Sequence, residues 1–469
     1  MPARMAPVEV EDTAVATPDP PAAPSWVRRH AVACALAAAA VVALVVGVQH
    51  TLTRHDDARQ ARLDAVPGIM APVEGGLHLG MTVPLDDTDL AWTRPVDGVV
   101  IDGRVQGTAF ALHGVDTATG RELWSTPVRR SDEGSTWTSC FPVGDVGVCT
   151  SGKNTGLWAS QEPDHDLWVL DPRSGEVLAT RSVPALATVT AAPAAADGTP
   201  ARLVVASPQG SSWRVRASDP VTDAAAWTFD TPSDVSTASV RPAQLSVQGG
   251  RTLLGVPGHV WVLGPDGRPL ADRSARPETA WAWLRAGAAT GWWYPQDGTQ
   301  AGMLLLPGGG ALPTTEDAPN LTVDDGSVPG TVLTARASHD DQTIVARSAT
   351  DGHVLWRSTE PTTTQVLLDD RLYLGTRTGV VALDARTGRV LWRSDGQAVQ
   401  GMSTDGHVLV VTRAPATVQA LRLRDGGMVW TQDVRDLLPA DVHVTSVGID
   451  RSAGHVVVWL VDGSAVTLR

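Results

Sequence analysis

The chain has little of several things that usually announce a function. It holds 3 Phe and 2 Tyr in 469 residues, which excludes a core built on those rings. Lysine occurs once, at Lys153, and no stretch concentrates the 37 basic residues. Acidic residues number 51 and the formal net charge is −14, so no basic stripe is on hand to neutralise phosphates. That excludes nucleic acid as the partner. No His-Glu-x-x-His, Gly-x-Ser-x-Gly, Walker or dinucleotide-binding pattern occurs, and the histidines, such as His113, His165 and His353, are scattered. The enzyme classes that depend on those patterns fall away with them.

What the chain does have is 17 Trp, 45 Gly and a recurring hairpin. The best copy runs Val380-Val381-Ala382-Leu383-Asp384-Ala385-Arg386-Thr387-Gly388-Arg389-Val390-Leu391-Trp392. Val381 and Leu383, then Val390 and Trp392, sit at period-two spacing, so each strand has one buried face. Asp384 accepts backbone N–H groups just ahead of it, and Gly388 supplies the positive φ that closes the turn. Asp116, Gly120 and Trp124 repeat the pattern; Asp171 and Gly175 repeat it with Ala179 in place of the tryptophan. Further copies end on Trp356 and Trp430, and degenerate ones lead to Trp227 and Leu270. The pitch from Trp356 to Trp392 to Trp430 is 36 and then 38 residues. A period near 40 with about four short strands predicts a β-propeller, because one blade cannot bury both its faces alone. Fold class is therefore all-β: one propeller of four-stranded antiparallel blades, eight in number with a range of seven to nine. Only 32 residues separate Trp92 from Trp124, too few for a full blade.

The Ala-Leu-Asp-x-x-Thr-Gly-x-x-x-Trp pattern resembles the repeat of the PQQ-like (quinoprotein-like) β-propeller family over residues 76–469. The resemblance implies that the tryptophans pack between adjacent blades, making Trp124, Trp356, Trp392 and Trp430 structural. The family includes quinoprotein alcohol dehydrogenases, outer-membrane assembly lipoproteins and membrane-anchored bacterial proteins. A dehydrogenase would need calcium ligands, a carboxylate base and a planar slot for the quinone. Family enzymes also carry a disulfide between adjacent cysteines; this sequence has no Cys-Cys pair. Trp292 and Trp293 are neighbours, so on a strand they face opposite sides and cannot both stack at one site. The acidic groups Asp86–Asp89, Asp164–Asp166 and Asp324–Asp325 lack calcium-loop spacing and read as solvated loop acids.

Residues 1–30 read as a disordered cytoplasmic tail, and residues 31–50 as a transmembrane helix, since Ala31 to Val48 carries no charge. A cleaved signal peptide is the rival reading. Arg28 and Arg29 place the N-terminus in the cytoplasm and the large domain outside the membrane. Residues 51–75 read as a stalk. Cys140 and Cys149 flank a turn at Gly144-Asp145, where a disulfide is geometrically open and implies an oxidising compartment; two buried thiols are the alternative. The C-terminal blade lacks its last strand, and Leu90–Arg94, centred on Trp92, matches it, which predicts a ring closed between the two ends of the domain. The expected function is a non-catalytic binding or scaffold module, anchored by residues 31–50. It carries no cofactor and takes a protein, glycan or small ligand at a propeller face. The alternative is a membrane-bound dehydrogenase using PQQ and calcium.

Overall fold

A computed structural model describes residues 33, 41–42, 44, 46, 49–50, 53–54, 56, 58–60, 62–63, 66–73, 75–83, 95–106, 109–130, 136–153, 165–184, 186–194, 198–233, 243–248, 250–256, 258–274, 281–285, 288–293, 301–306, 310–316, 319–338, 341–450 and 454–469. The chain divides into two units, residues 1–61 and 62–469. In the first, the described residues from Ala33 to Gln60 are helical, with Val41, Val42, Leu44 and Val46 exposed. Among the described residues no helix is long and apolar enough to cross a membrane.

The second unit is an all-β propeller. Its described strands form nine sheets in chain order, here called blades: blade 1 (residues 99–130), blade 2 (136–183), blade 3 (188–230), blade 4 (244–274), blade 5 (281–314), blade 6 (331–357), blade 7 (364–395), blade 8 (399–433) and blade 9 (444–468). Blades 2 to 9 are the eight counted from the repeats. The interval that looks too short for a blade holds blade 1, with three strands among the described residues.

At most junctions each sheet buries side chains against the next. Leu112 of blade 1 packs with Trp168 of blade 2, Val204 of blade 3 with Trp261 of blade 4, and Ile344 of blade 6 with Leu374 of blade 7. Blades 8 and 9 share Val410 and Val458. Blade 9 meets blade 1 through Val457 and Val100, so the stack closes on itself.

Closure is made by Leu79–Val83, which pairs antiparallel with Ala465–Leu468 as the fourth strand of blade 9. Met81 and Val83 are buried and Thr82 between them is exposed, the alternation an outer strand needs. The closing strand thus lies upstream of Leu90–Arg94, and Trp92 falls outside the described residues. The segment before it is not a free stalk. Leu63, Met70, Val73 and Leu77 are all buried; the Met70 amide donates to Thr404 O (2.9 Å) and Ser403 Oγ to Gly68 O (2.6 Å). The body of the propeller therefore begins before residue 76, because these apolar side chains have an inner edge of blade 8 to cover.

One pairing departs from the antiparallel rule. Leu321–Asp324 lies parallel to Thr364–Leu368, making blade 7 five-stranded and leaving blade 6 with three. The gain is apolar. Val323 joins Leu63, Val66 and Ile69 in one cluster with Val366 and Met402, so the chain itself fills the space inside blades 7 and 8.

Candidate functional site

The repeat residues come first, since they must be accounted for before any site is assigned. In the best turn, Asp384 Oδ1 accepts from the amides of Arg386 (3.1 Å) and Thr387 (2.9 Å) and from the Thr387 hydroxyl (2.9 Å). Asp116 and Asp171 are held the same way by Ala118 and Thr119, and by Arg173 and Ser174. Gly388 has φ 71°, and Gly120 and Gly175 are likewise in the left-handed region.

The glycine has a second duty, and it belongs to the neighbouring blade. A methyl at Gly388 would lie 2.7 Å from the Trp356 ring, and one at Gly175 would lie 2.4 Å from Trp124. Each indole N–H then donates to a carbonyl near that turn: Trp124 to Pro172 O (2.8 Å), Trp356 to Ala385 O (3.1 Å), Trp392 to Leu423 O (3.1 Å). A tryptophan in one blade and a turn glycine in the next form a single contact. At the seam, blade 9 has no such turn, because its last two strands come from opposite ends of the domain. Trp430 Nε1 donates instead to Val73 O (3.3 Å), and Gln432 exchanges hydrogen bonds with the backbone of Leu77. Asp405 anchors the same segment by accepting from the Val73 amide at 3.1 Å.

Cys140 and Cys149 stand directly opposite in blade 2 and form a disulfide. Trp292 and Trp293 lie on the strand Ala288–Trp293. Asp324 and Asp325 cap a turn: Asp324 accepts from the Gly326 amide (3.1 Å), and Asp325 from the amides of Ser327 (3.0 Å) and Asp369 (2.8 Å).

A pocket of about 520 Å³ opens between blades 3 and 4 on one side and the segments at Val66-Pro67 and Asp324–Gly326 on the other. Pro67, Pro193, Pro200 and Trp227 give it apolar walls, while Arg202 and Gln248 supply donors. Arg202 stands 3.8 Å from Asp219.

Ionisable groups elsewhere serve the fold. Ala118 N–H, with the Thr119 hydroxyl, lowers the Asp116 carboxyl; the Ser174 amide and hydroxyl lower Asp171. For Asp384 burial pushes upward, but Thr387 and Arg386 outweigh it and the net direction is down. The Ser348 hydroxyl, helped by His353, brings Asp351 down to about 2. Glu316 is buried, which pushes its carboxyl up, yet Arg347 (2.9 Å) and the Thr334 hydroxyl (2.6 Å) keep it below the usual range.

Among the described residues no three His, Cys, Asp or Glu side chains come together to hold a metal, and the disulfide joins facing rather than adjacent cysteines. Of the tryptophans the repeats contribute, Trp124, Trp356, Trp392 and Trp430 are engaged at blade interfaces.

Residues 311–468 match the family model PQQ_2, described as outer membrane protein assembly factor BamB. No curated protein matches the chain. Among solved structures, BamB from Moraxella catarrhalis is 16% identical over 84% of this chain and 99% of its own, with a TM-score of 0.38. A eukaryotic initiation factor is 11% identical over 78% and 90%, with a TM-score of 0.46. A computationally designed protein, Ika8, is 13% identical over 86% and 99%, with a TM-score of 0.38.

Proposed function

We propose that the chain is a non-catalytic binding scaffold whose partner is a protein, on the premise that the PQQ_2 match over residues 311–468 extends to its other repeats. The observation that carries this reading is the division of labour among its side chains. Tryptophans, turn aspartates and turn glycines are used up in holding the blades, and the large pocket that remains has apolar, proline-rich walls with Arg202 and Gln248 on one side and Asp324 and Asp325 on the other. Such a surface recognises an extended peptide segment with apolar side chains and a carbonyl or carboxylate for Arg202. The family description, an assembly factor, supports a protein partner.

The domain works outside the membrane, tethered through residues 31–50, and without a quinone. The eighteen uncharged residues from Ala31 to Val48 and the arginines before them support the tether. The Cys140–Cys149 disulfide supports an oxidising compartment. Affinity capture by the full chain from envelope extracts, compared with Ala194→Arg at the pocket rim, tests the scaffold reading: the variant should keep its melting temperature and lose the partner. Titration with PQQ and calcium, followed by a dye-linked dehydrogenase assay, tests the rest. Stoichiometric quinone binding with dye reduction would overturn the proposal.

A further inference from the structure

The junction between blades 2 and 3 lacks the tryptophan–glycine contact that joins blades 1 and 2, 3 and 4, 6 and 7, and 7 and 8. Where blade 7 aligns Ala382 with Trp392, blade 2 aligns Val169 with Ala179, so the docking tryptophan is missing. Its customary glycine is missing too: the blade 3 turn has Asp223 at φ 60°. Arg181 takes over the hydrogen bond, donating from Nη2 to Pro220 O at 2.6 Å and Val221 O at 3.2 Å. A second substitution lies one strand away. The residue preceding the aligned small residue is Trp168 in blade 2, Trp261 in blade 4 and Val381 in blade 7, all buried, whereas it is polar in blade 1 (His113), blade 8 (Gln419) and blade 3 (Arg216).

Losing one indole and replacing a second large apolar side chain by arginine leaves a gap. It measures about 250 Å³, with Leu167, Leu203 and Val205 along its floor and Arg181, Arg214 and Arg216 along its wall. The guanidiniums share two carboxylates. Arg216 Nη1 meets Asp223 Oδ1 at 2.6 Å, Arg181 stands 3.3 Å from the same oxygen, and Arg214 grips Asp230 at 2.7 and 3.2 Å. Three cations against two anions leave one positive charge in excess. Guanidiniums each carry five N–H donors in a fixed fork, more than these acceptors use.

We propose that this inter-blade gap binds a small organic carboxylate with an apolar tail. The carboxylate lies on the arginine wall and the tail on the leucine–valine floor. At roughly 30 Å³ per water-sized atom the gap holds about eight non-hydrogen atoms, the size of hexanoate. A charged head with a short tail satisfies both surfaces. Inorganic anions leave the floor wet, and neutral alcohols leave the excess charge unmatched.

The test is calorimetric titration of the full chain with hexanoate, hexan-1-ol and sulfate. Hexanoate should saturate with a midpoint on the order of 1 mM, and hexan-1-ol and sulfate should bind at least about tenfold more weakly. Arg214→Gln, a half-exposed position, should lower hexanoate affinity about tenfold while leaving hexan-1-ol unchanged. Ala179→Trp with Asp223→Gly restores the repeat contact and should abolish hexanoate binding. Equal binding of all three probes, no binding of hexanoate, or full affinity in the Arg214→Gln protein would each overturn the assignment.

Discussion

Two junctions of the same ring solve one packing problem in opposite ways. Between blades 6 and 7, Trp356 lies on Gly388 and is nine-tenths buried or more, with its N–H satisfied inside the next turn. Between blades 2 and 3 the same place holds Ala179 and Asp223, and arginines do the holding. The first arrangement is apolar and close-packed; a ring buried against a backbone with no side chain leaves no room for solvent. The second is polar and keeps a gap. The lesson is that, at the regular junctions, tryptophan and glycine are one unit spread over two blades, and that between blades 2 and 3 both members of the unit are replaced together.

The largest effect should come from breaking the regular junction. Trp392→Ala removes the ring that rests on Gly426 and should cost about 3–5 kcal/mol in chemical unfolding. Arg181→Ala at the irregular junction should cost only about 1 kcal/mol, since a partly solvated hydrogen bond is lost there. A cost at Arg181 equal to that at Trp392 would erase the distinction. Next in size is the turn residue itself. Gly388→Ala should cost about 2 kcal/mol, from the left-handed φ and the displaced Trp356 together. Asp223→Gly relieves the φ strain but loses the pairing with Arg216, so its net change should stay within about 1 kcal/mol.

Acid should act on the turn aspartates of both junctions, more gently. Asp116, Asp171, Asp219, Asp384 and Asp425 all have carboxyls lowered in the folded state by backbone or side-chain donors. A lowered carboxyl lends stability that is complete above its unfolded value, about 3.9, and that drains away as pH falls toward the folded value. The melting temperature should be flat between about pH 7 and 5 and should fall below about pH 4. Asp351, brought to about 2, extends that fall to the lowest pH. A melting temperature that rises on acidification would contradict the assignment of these groups as turn acceptors.

Much of this was legible in residue patterns. The Asp384–Gly388 hairpin, the approximate blade count, the facing cysteines and a closure joining the two ends of the domain all follow from local spacing. The closing strand itself did not: Leu79–Val83 lacks a tryptophan, so Leu90–Arg94 matched the repeat better, although Met81 and Val83 have the burial to do the work. The nine sheets sit at the upper end of the range of seven to nine, because the short interval before Trp124 holds blade 1, with three strands among the described residues. Asp405 gave no signal, since its role is to hold an amide 332 residues earlier. Ala179 and Asp223 were each visible as departures from the repeat. That they answer one another was not visible, because nothing local connects two positions in different blades.

The sequence by itself determined the strand period, the aspartate–glycine turns and the kind of fold, since these depend on residues within a few positions of one another. Tertiary structure decided which indole covers which glycine, that Val73 stands in for a turn at the seam, that Leu321–Asp324 crosses to the neighbouring blade, and which gap stays open. Those choices are contacts between distant segments, settled by where apolar surface can be buried once the ring has closed.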